Sequence, residues 1–380
     1  MINKIQLGQF FTTNTDYILS GFEDIVKNKN ITDPFAGNGD LLKWANKHQA
    51  CSITGFDIDA TLASNNIQFN DSILYPKKYK FVLTNPPYLY QNKLSNNSLL
   101  KNSCHTDLYH LSLEAIMDSD AGIVIVPINF LSSQNAKYIR NIFLTKFSII
   151  KVNYFTHQVF RDTSYNVMVF YYQKNIIPTT KMQVDFNIYP QQKKQKINLY
   201  KKYNYQVGGE FLQKIGSYKN QLNIKRLEQK DMQIGKHSIK IAINHLNKKT
   251  IFLTHKKIAS MIKNNIILLK AIDTGSKTGQ ICTEDIRQHN VDALVSKKTS
   301  RNQIYLLLPK YVSIHEQEIM IKHFNRIIQQ KRDEFFSLFM TNFRDNNRKR
   351  ISFNFAYKLL NYIYLTEIKI KNDYKQHKLF

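Results

Sequence analysis

Cysteine is scarce in this chain. Cys51, Cys104 and Cys282 are far apart and in no paired ligand spacing, so neither a disulfide framework nor a zinc site is indicated. None of the three follows a proline, which disfavours chemistry through a Pro-Cys nucleophile. Long apolar runs are missing as well: Gly122–Pro127 and Val167–Tyr172 fall well short of the ~18 to 20 residues that cross a bilayer. The first six residues, Met1 to Gln6, contain no apolar stretch of secretory type, so the cytoplasm is the expected compartment and no membrane partner is expected. Phosphate-binding glycine motifs are also lacking. The turn at Gly37 and Gly39 does not complete a Gly-x-Gly-x-x-Gly pattern, and no Gly-Lys-Ser/Thr follows it, which argues against a nucleotide triphosphate. No internal repeat is present.

Acidic residues are few. Asp and Glu number 28 against 54 Lys and Arg, a net charge of +26, far beyond what solubility requires. An anionic polymer is the expected partner, and nucleic acid ranks ahead of membrane or acidic protein because the basic residues are interleaved with many Tyr and Phe. At 380 residues and 43% hydrophobic content, the chain is long and apolar enough for two globular domains.

The stretch around which the rest is organised is Asn85-Pro86-Pro87-Tyr88, directly after the apolar run Phe81-Val82-Leu83 and so at the carboxyl end of a buried strand. Two prolines lack N–H donors and fix φ, so the strand stops and a rigid rim forms. On that rim Asn85 offers an amide oxygen, Pro86 an unpaired carbonyl and Tyr88 a flat ring. Two acceptors favour a more tetrahedral, more reactive nitrogen on a planar amine, and the ring can hold such a substrate by stacking. Seen alone, the tetrapeptide fits a polyproline-type surface turn equally well; its context decides.

That context begins with Leu7-Gly8-Gln9-Phe10-Phe11-Thr12-Thr13, a loop leading into a helix capped near Thr13 or Asn14. Ile31-Thr32-Asp33-Pro34-Phe35-Ala36-Gly37-Asn38-Gly39 reads as a strand and a glycine turn opening a helix, with Asp33 placed to accept hydrogen bonds from a cationic ammonium. A second strand ends in Asp57, 24 residues after Asp33 and suited to a ribose, while Ile58 can pack on an adenine face and Asp59 reads as a helix cap. Asp71 either accepts from an adenine amine or merely terminates a strand. Beyond the rim, Gln91–Lys101 reads as a loop, Asp107–Met117 as a helix, Ala121–Pro127 and Ile149–Phe155 as strands with a helix over Lys137–Lys146 between them. A loop carrying Phe160 then precedes a last strand, Asn166–Tyr172, in an antiparallel hairpin. Phe160 is a core residue by composition and becomes a base-stacking residue only if its loop faces Tyr88.

From about Lys174 the βαβ rhythm gives way to Lys-, Gln-, Asn- and Tyr-rich sequence, which places a boundary between domains 1–175 and 176–380. In the second, a strand over Ile304–Leu308 precedes an amphipathic helix over Glu316–Phe339 whose apolar stripe is core. Arg344, Asn347, Arg348, Lys349 and Arg350 then present fork donors and amides of the types that read base edges or hold phosphates, the two uses being equally open for each residue.

In order, the pieces resemble the gamma class of DNA adenine-N6 methyltransferases, the type II restriction-modification methylases with an Asn-Pro-Pro-Tyr motif. The resemblance runs through Gly8–Thr12, Asp33–Gly39, Asp57, Asp71, Asn85–Tyr88, Asp107–Tyr109 and Val159-Phe160, roughly the first 175 residues. It implies an α/β, Rossmann-like S-adenosylmethionine-dependent domain with a mostly parallel sheet, followed by an α+β target-recognition domain. It implies further that Thr12, Asp33, Gly37, Asp57, Ile58 and Asp71 surround S-adenosylmethionine. Asn85 and the Pro86 carbonyl would bind the N6 amine of an adenine extruded from double-stranded DNA, with Tyr88 and Phe160 sandwiching the base. The implied protein is a monomer, and any cognate restriction endonuclease is a separate chain. Thr13 stands where the family often has proline, and Asn38 where a smaller residue is common. A methyltransferase for RNA adenine or a protein glutamine is the competing reading, and a noncatalytic DNA-binding module the third.

Overall fold

In the computed structural model, the described residues are 12–89, 104–160, 166–177, 179–273, 280–342 and 348–369. The chain forms two compact units, the first built from Met1–Gly209 with Thr341–Asn347, the second from Glu210–Met340 with Arg348–Phe380.

The first unit is a nine-stranded sheet. Its strands are β1 (Asn30–Asp33), β2 (Ser52–Asp57), β3 (Ile67–Phe69), β4 (Tyr79–Thr84), β5 (Ser119–Pro127), β6 (Phe147–Phe155), β7 (Val167–Lys174), β8 (Lys181–Tyr189) and β9 (Lys193–Tyr200), arranged in the order β3-β2-β1-β4-β5-β7-β6-β8-β9. Strands β3 to β5 are mutually parallel, and β7 runs antiparallel between β5 and β6. Because β1 lies between β2 and β4, the chain turns left from β1 in one direction and right in the other. The carboxyl ends of β1 and β4 therefore open a crevice at a topological switch point. Helices α1 (Thr15–Ile18), α2 (Glu23–Val26), α3 (Asp40–Lys47), α4 (Leu108–Ala115), α5 (Asn129–Ser132) and α6 (Lys137–Lys146) accompany the strands.

The apolar run in β5 is buried along its length, as expected for a central strand covered on both faces. Beside it Phe130, Phe143, Phe147, Phe170 and Tyr172 form an aromatic cluster, with Phe130 stacked on Phe170 at 5.5 Å. Gly122 makes room for this packing: a Cβ there would lie 2.6 Å from the Val82 carbonyl and 2.8 Å from the Tyr172 hydroxyl. Arg140 of α6 is fully buried, and donates to the carbonyls of Asn204 (2.7 Å), Phe130 (2.8 Å) and Ser133 (2.9 Å), tying α6 to the end of α5.

The expected boundary near residue 175 is corrected to Gly209. Strand β8 pairs parallel to β6, and β9 returns antiparallel to it, so the lysine-rich sequence after Lys174 still belongs to the first sheet. Alternation explains it. Met182, Val184, Phe186 and Ile188 of β8 are buried while the intervening polar residues face outward, a half-buried pattern unlike the continuous apolar runs upstream.

The second unit is α+β. Strands β10 (Lys225–Arg226), β11 (Ile234–Ile243), β12 (His245–Thr254), β13 (Ile267–Lys270), β14 (Cys282–Asp285), β15 (Ala293–Val295) and β16 (Gln303–Leu307) form a four-stranded antiparallel sheet, β10-β16-β13-β14, and a three-stranded sheet, β12-β11-β15. Helices α7 (Gly209–Ser217), α8 (Lys256–Lys263), α9 (Ile314–Phe335) and α10 (Phe353–Ile363) complete it. The stripe on α9 is core, with Met320, Phe324 and Ile328 buried. That helix starts two residues earlier than expected because Ser313 and Glu316 close a reciprocal capping box, and it stops at Phe336, whose φ of 49° is left-handed. Among the described residues, no helix is long and apolar enough to cross a membrane.

Candidate active site

The crevice is lined by acids placed at strand ends. Asp33 closes β1 and is 1% exposed; its Oδ1 accepts from the Phe35 N–H (3.0 Å) and from the Thr84 hydroxyl (2.5 Å). Burial, with a smaller contribution from neighbouring Asp57, pushes its carboxyl up to about 7 against those two hydrogen bonds. Such a group is primed to ionise when a cation arrives. Asp57 closes β2, where it accepts from the Gly37 N–H (2.8 Å) and the Asp59 N–H (2.9 Å), and burial raises its pKa too. Asp59 caps the following turn through Thr61, the role expected of it.

The glycine turn between them is bent by backbone that favours glycine, with φ of 51° at Gly37 and 74° at Gly39. It is pinned to β2 by the Ala36 N–H donating to the Phe56 carbonyl at 2.8 Å. Ile58 is half exposed beside it. Asp71 lies beyond β3, where Oδ1 accepts from the N–H groups of Ile73 (3.0 Å) and Leu74 (3.1 Å), so one of its oxygens is committed to holding the turn. Three carboxylates at the ends of three adjacent parallel strands, flanking a glycine turn and an exposed isoleucine, fit an adenosyl group carrying an amino-acid cation.

Asn85 follows β4 directly. Its Nδ2 donates to the Thr12 hydroxyl at 3.0 Å, which turns Oδ1 the other way, where the Tyr88 hydroxyl meets it. Because Thr84 bonds Asp33 and Asn85 is its neighbour, the buried carboxyl and the amide share one corner of the sheet. Thr12 is buried here and bonded to the amide. The link through Thr84 was not expected, because a strand-terminal threonine has no signature of its own.

Tyr88 departs from expectation. Its place on the rim predicts a ring free to stack on a substrate, but it is 1% exposed, set edge-on to Tyr109 at 6.3 Å, with its hydroxyl 2.9 Å from the Ile125 carbonyl as well as beside Asn85. Its one phenolic hydrogen has two acceptors within reach inside the fold, which lets the ring be buried with its polar end satisfied. Phe160 is buried at the end of the β6 loop, which fits its reading as a core residue. Asp107 and Tyr109 stand at the start of α4, tied back to the rim by the Leu108 N–H donating to Leu89. Gly8–Phe11, the loop Gln91–Lys101 and Arg161–Tyr165 lie outside the described residues.

Of the basic C-terminal residues, Arg344 and Asn347 also lie outside the described residues, while Arg348 and Arg350 are exposed. Lys349 is corrected: it is only 9% exposed, because Lys349–Arg350 is a short strand in which alternate side chains turn inward, so its ammonium is withheld from any phosphate.

The order β3-β2-β1-β4-β5-β7-β6 with a reversed β7, and acids at the ends of β1 and β2, define a class I S-adenosylmethionine-dependent methyltransferase fold. Within that class, residues 5–160 match the family model of the Eco57I restriction-modification methylase, which bears out over that segment the recognition made from the motifs. Similar solved structures include a type I restriction-modification system methyltransferase subunit from Streptococcus thermophilus (20% identity over 48% of this chain and 47% of that one, TM-score 0.34). The type I restriction enzyme EcoKI M protein is similar at 14% identity over 42% and 44% of the two chains, TM-score 0.33. The type IIG restriction endonuclease BpuSI aligns at 10% identity with 95% of this chain and 58% of its own, TM-score 0.44. The alignments thus span about half the length of the two type I subunits. A comparison with curated proteins returns no match.

Proposed function

We propose that this chain is a DNA methyltransferase that uses S-adenosylmethionine to methylate the N6 amine of an adenine flipped out of double-stranded DNA, as the modification enzyme of a restriction-modification system. The observation that carries the reading is the shared corner: Asp33 and the strand end bearing Asn85 are joined through Thr84. Asp33 would hold the cofactor's ammonium, Asp57 its ribose hydroxyls, Ile58 and Asp71 its adenine, with Gly37 letting the backbone approach. When bound, the cofactor supplies a methyl group on an electrophilic sulfonium. Asn85 Oδ1 and the Pro86 carbonyl accept the two hydrogens of the target amine and favour a nitrogen whose lone pair is less delocalised. The Tyr88 hydroxyl now occupies the place where the amine hydrogen belongs, so base entry must displace it and frees the ring to stack, with Phe160 as the candidate second face. Stacking offsets part of the few kcal/mol needed to extrude the base.

Duplex DNA is the proposed partner, and the enzyme works as a monomer in the cytoplasm. The experiment is transfer of labelled methyl from S-adenosylmethionine to duplex DNA, followed by nuclease digestion and chromatography. Label co-migrating with N6-methyldeoxyadenosine, lost in Asn85→Ala while DNA binding persists, is the expected result. Label found only in RNA or in protein would replace the reading with one of its rivals.

A further inference from the structure

The longest paired strands of the second unit form a ribbon with one face on its core and the other exposed except at Ala242, which is buried. Strands β11 and β12 pair antiparallel from His237 with Thr254 to Ala242 with Lys249. Register sorts the side chains: Ile239, Ile241 and Phe252 pack on the core, while Ser238, Lys240, Lys249, Ile251 and Leu253 share the opposite face. On that face the exposure is high even for apolar residues, 71% at Ile251 and 53% at Leu253. Strand β12 is the outer strand of its sheet, so its far edge is unpaired with any strand among the described residues.

The charge of this segment is one-sided. Between Asp231 and Asp273 there is no acidic residue, against eight lysines. Lys236, Lys240, Lys248 and Lys249 are exposed, and among the described residues none has a carboxylate partner within ion-pair distance. Asp292 spends its Oδ2 on the Lys240 backbone N–H at 2.8 Å. Lysines on an outer strand can serve merely to discourage edge-to-edge pairing, but one or two suffice for that and no acid need be excluded. A two-stranded ribbon is also one of the two protein elements that the major groove of duplex DNA admits, and exposed aliphatic side chains beside the cations match the thymine methyls displayed there.

We propose that the β11–β12 ribbon is a docking surface for duplex DNA, with Lys240 and Lys249 placed against phosphates and Ile251 and Leu253 toward the groove. This rests on the reading of DNA as the substrate and names where on the second unit the duplex is engaged. The sequence assigns DNA recognition to residues 176–380 as a whole, and the family match ends at residue 160; register and charge narrow the contact to this ribbon.

The test uses the full chain, a fluorescein-labelled 30-base-pair duplex, and binding by anisotropy over a salt series. Lys240→Gln and Lys249→Gln combined should lower the slope of log affinity against log salt by about two and weaken binding severalfold at 0.1 M salt; the double arginine variant should retain both. In the unaltered protein, saturating duplex should slow acetylation of Lys240 and Lys249 at least fivefold by mass spectrometry, a readout that needs no variant to fold. An unchanged slope, unchanged acetylation, or tighter binding to anionic phospholipid vesicles than to duplex would overturn the proposal. If the wild type methylates DNA with these lysines indifferent, only this inference fails. If the duplex protects them and no DNA is methylated under any condition, the functional reading fails and the docking surface stands.

Discussion

The most informative perturbation is at Asp33, where charge, burial and the proposed cofactor meet. Its carboxyl is pushed up to about 7 by burial, from an ordinary value of 3.8. A folded-state pKa raised above the unfolded one means that the native protein holds the proton more tightly. The associated stability is fully present below pH 3.8 and is lost as pH climbs through 7. About three pKa units correspond to on the order of 4 kcal/mol across that window. A cofactor ammonium reverses the preference, since it needs the carboxylate, so binding must expel the proton. Affinity should therefore be about fivefold weaker at pH 6 than at pH 7, and about fiftyfold weaker at pH 5. The window closes above pH ~7.7, where an α-amino group itself loses charge. Titration calorimetry of S-adenosylmethionine in two buffers of different ionisation enthalpy should show release of nearly one proton per site at pH 6, and Asp33→Asn should bind weakly with a much shallower dependence on pH. Asp57, also raised by burial, acts in the same direction, and the asparagine variant separates the two. Equal affinity at pH 5 and pH 7 in the wild type, or proton uptake on binding, would refute the assignment of Asp33 to the cation.

Four other outcomes follow from the same geometry. Thr12→Val removes the acceptor that orients the Asn85 amide, so kcat should fall at least tenfold while the cofactor Kd changes little; the opposite split would make Thr12 a cofactor contact instead. Arg140→Met strips a charged donor from three carbonyls and should cost on the order of 3 kcal/mol in urea unfolding, a loss under 1 kcal/mol counting against the buried anchor. Arg348→Gln with Arg350→Gln should lower the salt slope of DNA binding by about two, whereas Lys349→Gln should leave the slope unchanged. Ser313→Ala should lower stability by about 1 kcal/mol through the lost cap of α9, measurable as a shift in urea midpoint with the slope of the transition preserved.

Much of the first unit is written in runs that have few alternatives. An apolar run stopped by Pro86-Pro87, or one ending in Asp33 before two glycines, fixes both the strand and the place where it ends, so β1, β2 and β4 fell where their residues put them and α6 spans Lys137–Lys146 as expected. What was hidden depends on neighbours distant in sequence. The β8–β9 hairpin looks polar because half of each strand faces water, and its membership in the first sheet is decided by an edge left open by β6. Burial of Tyr88 needed the Ile125 carbonyl, 37 residues away, and burial of Lys349 needed the phase of a two-residue strand, which composition does not carry.

Strand β9 ends the large sheet on one margin, and it carries Lys193, Lys194 and Lys196 along its length, while the other margin is the three-residue β3. Short or cationic margins repel a second copy that tries to continue the hydrogen-bond ladder. Without that hairpin, the apolar β6 would form the margin and offer a sticky template for polymerisation, so trimming the chain after residue 175 should yield an insoluble product even though every residue of the proposed catalytic corner is retained.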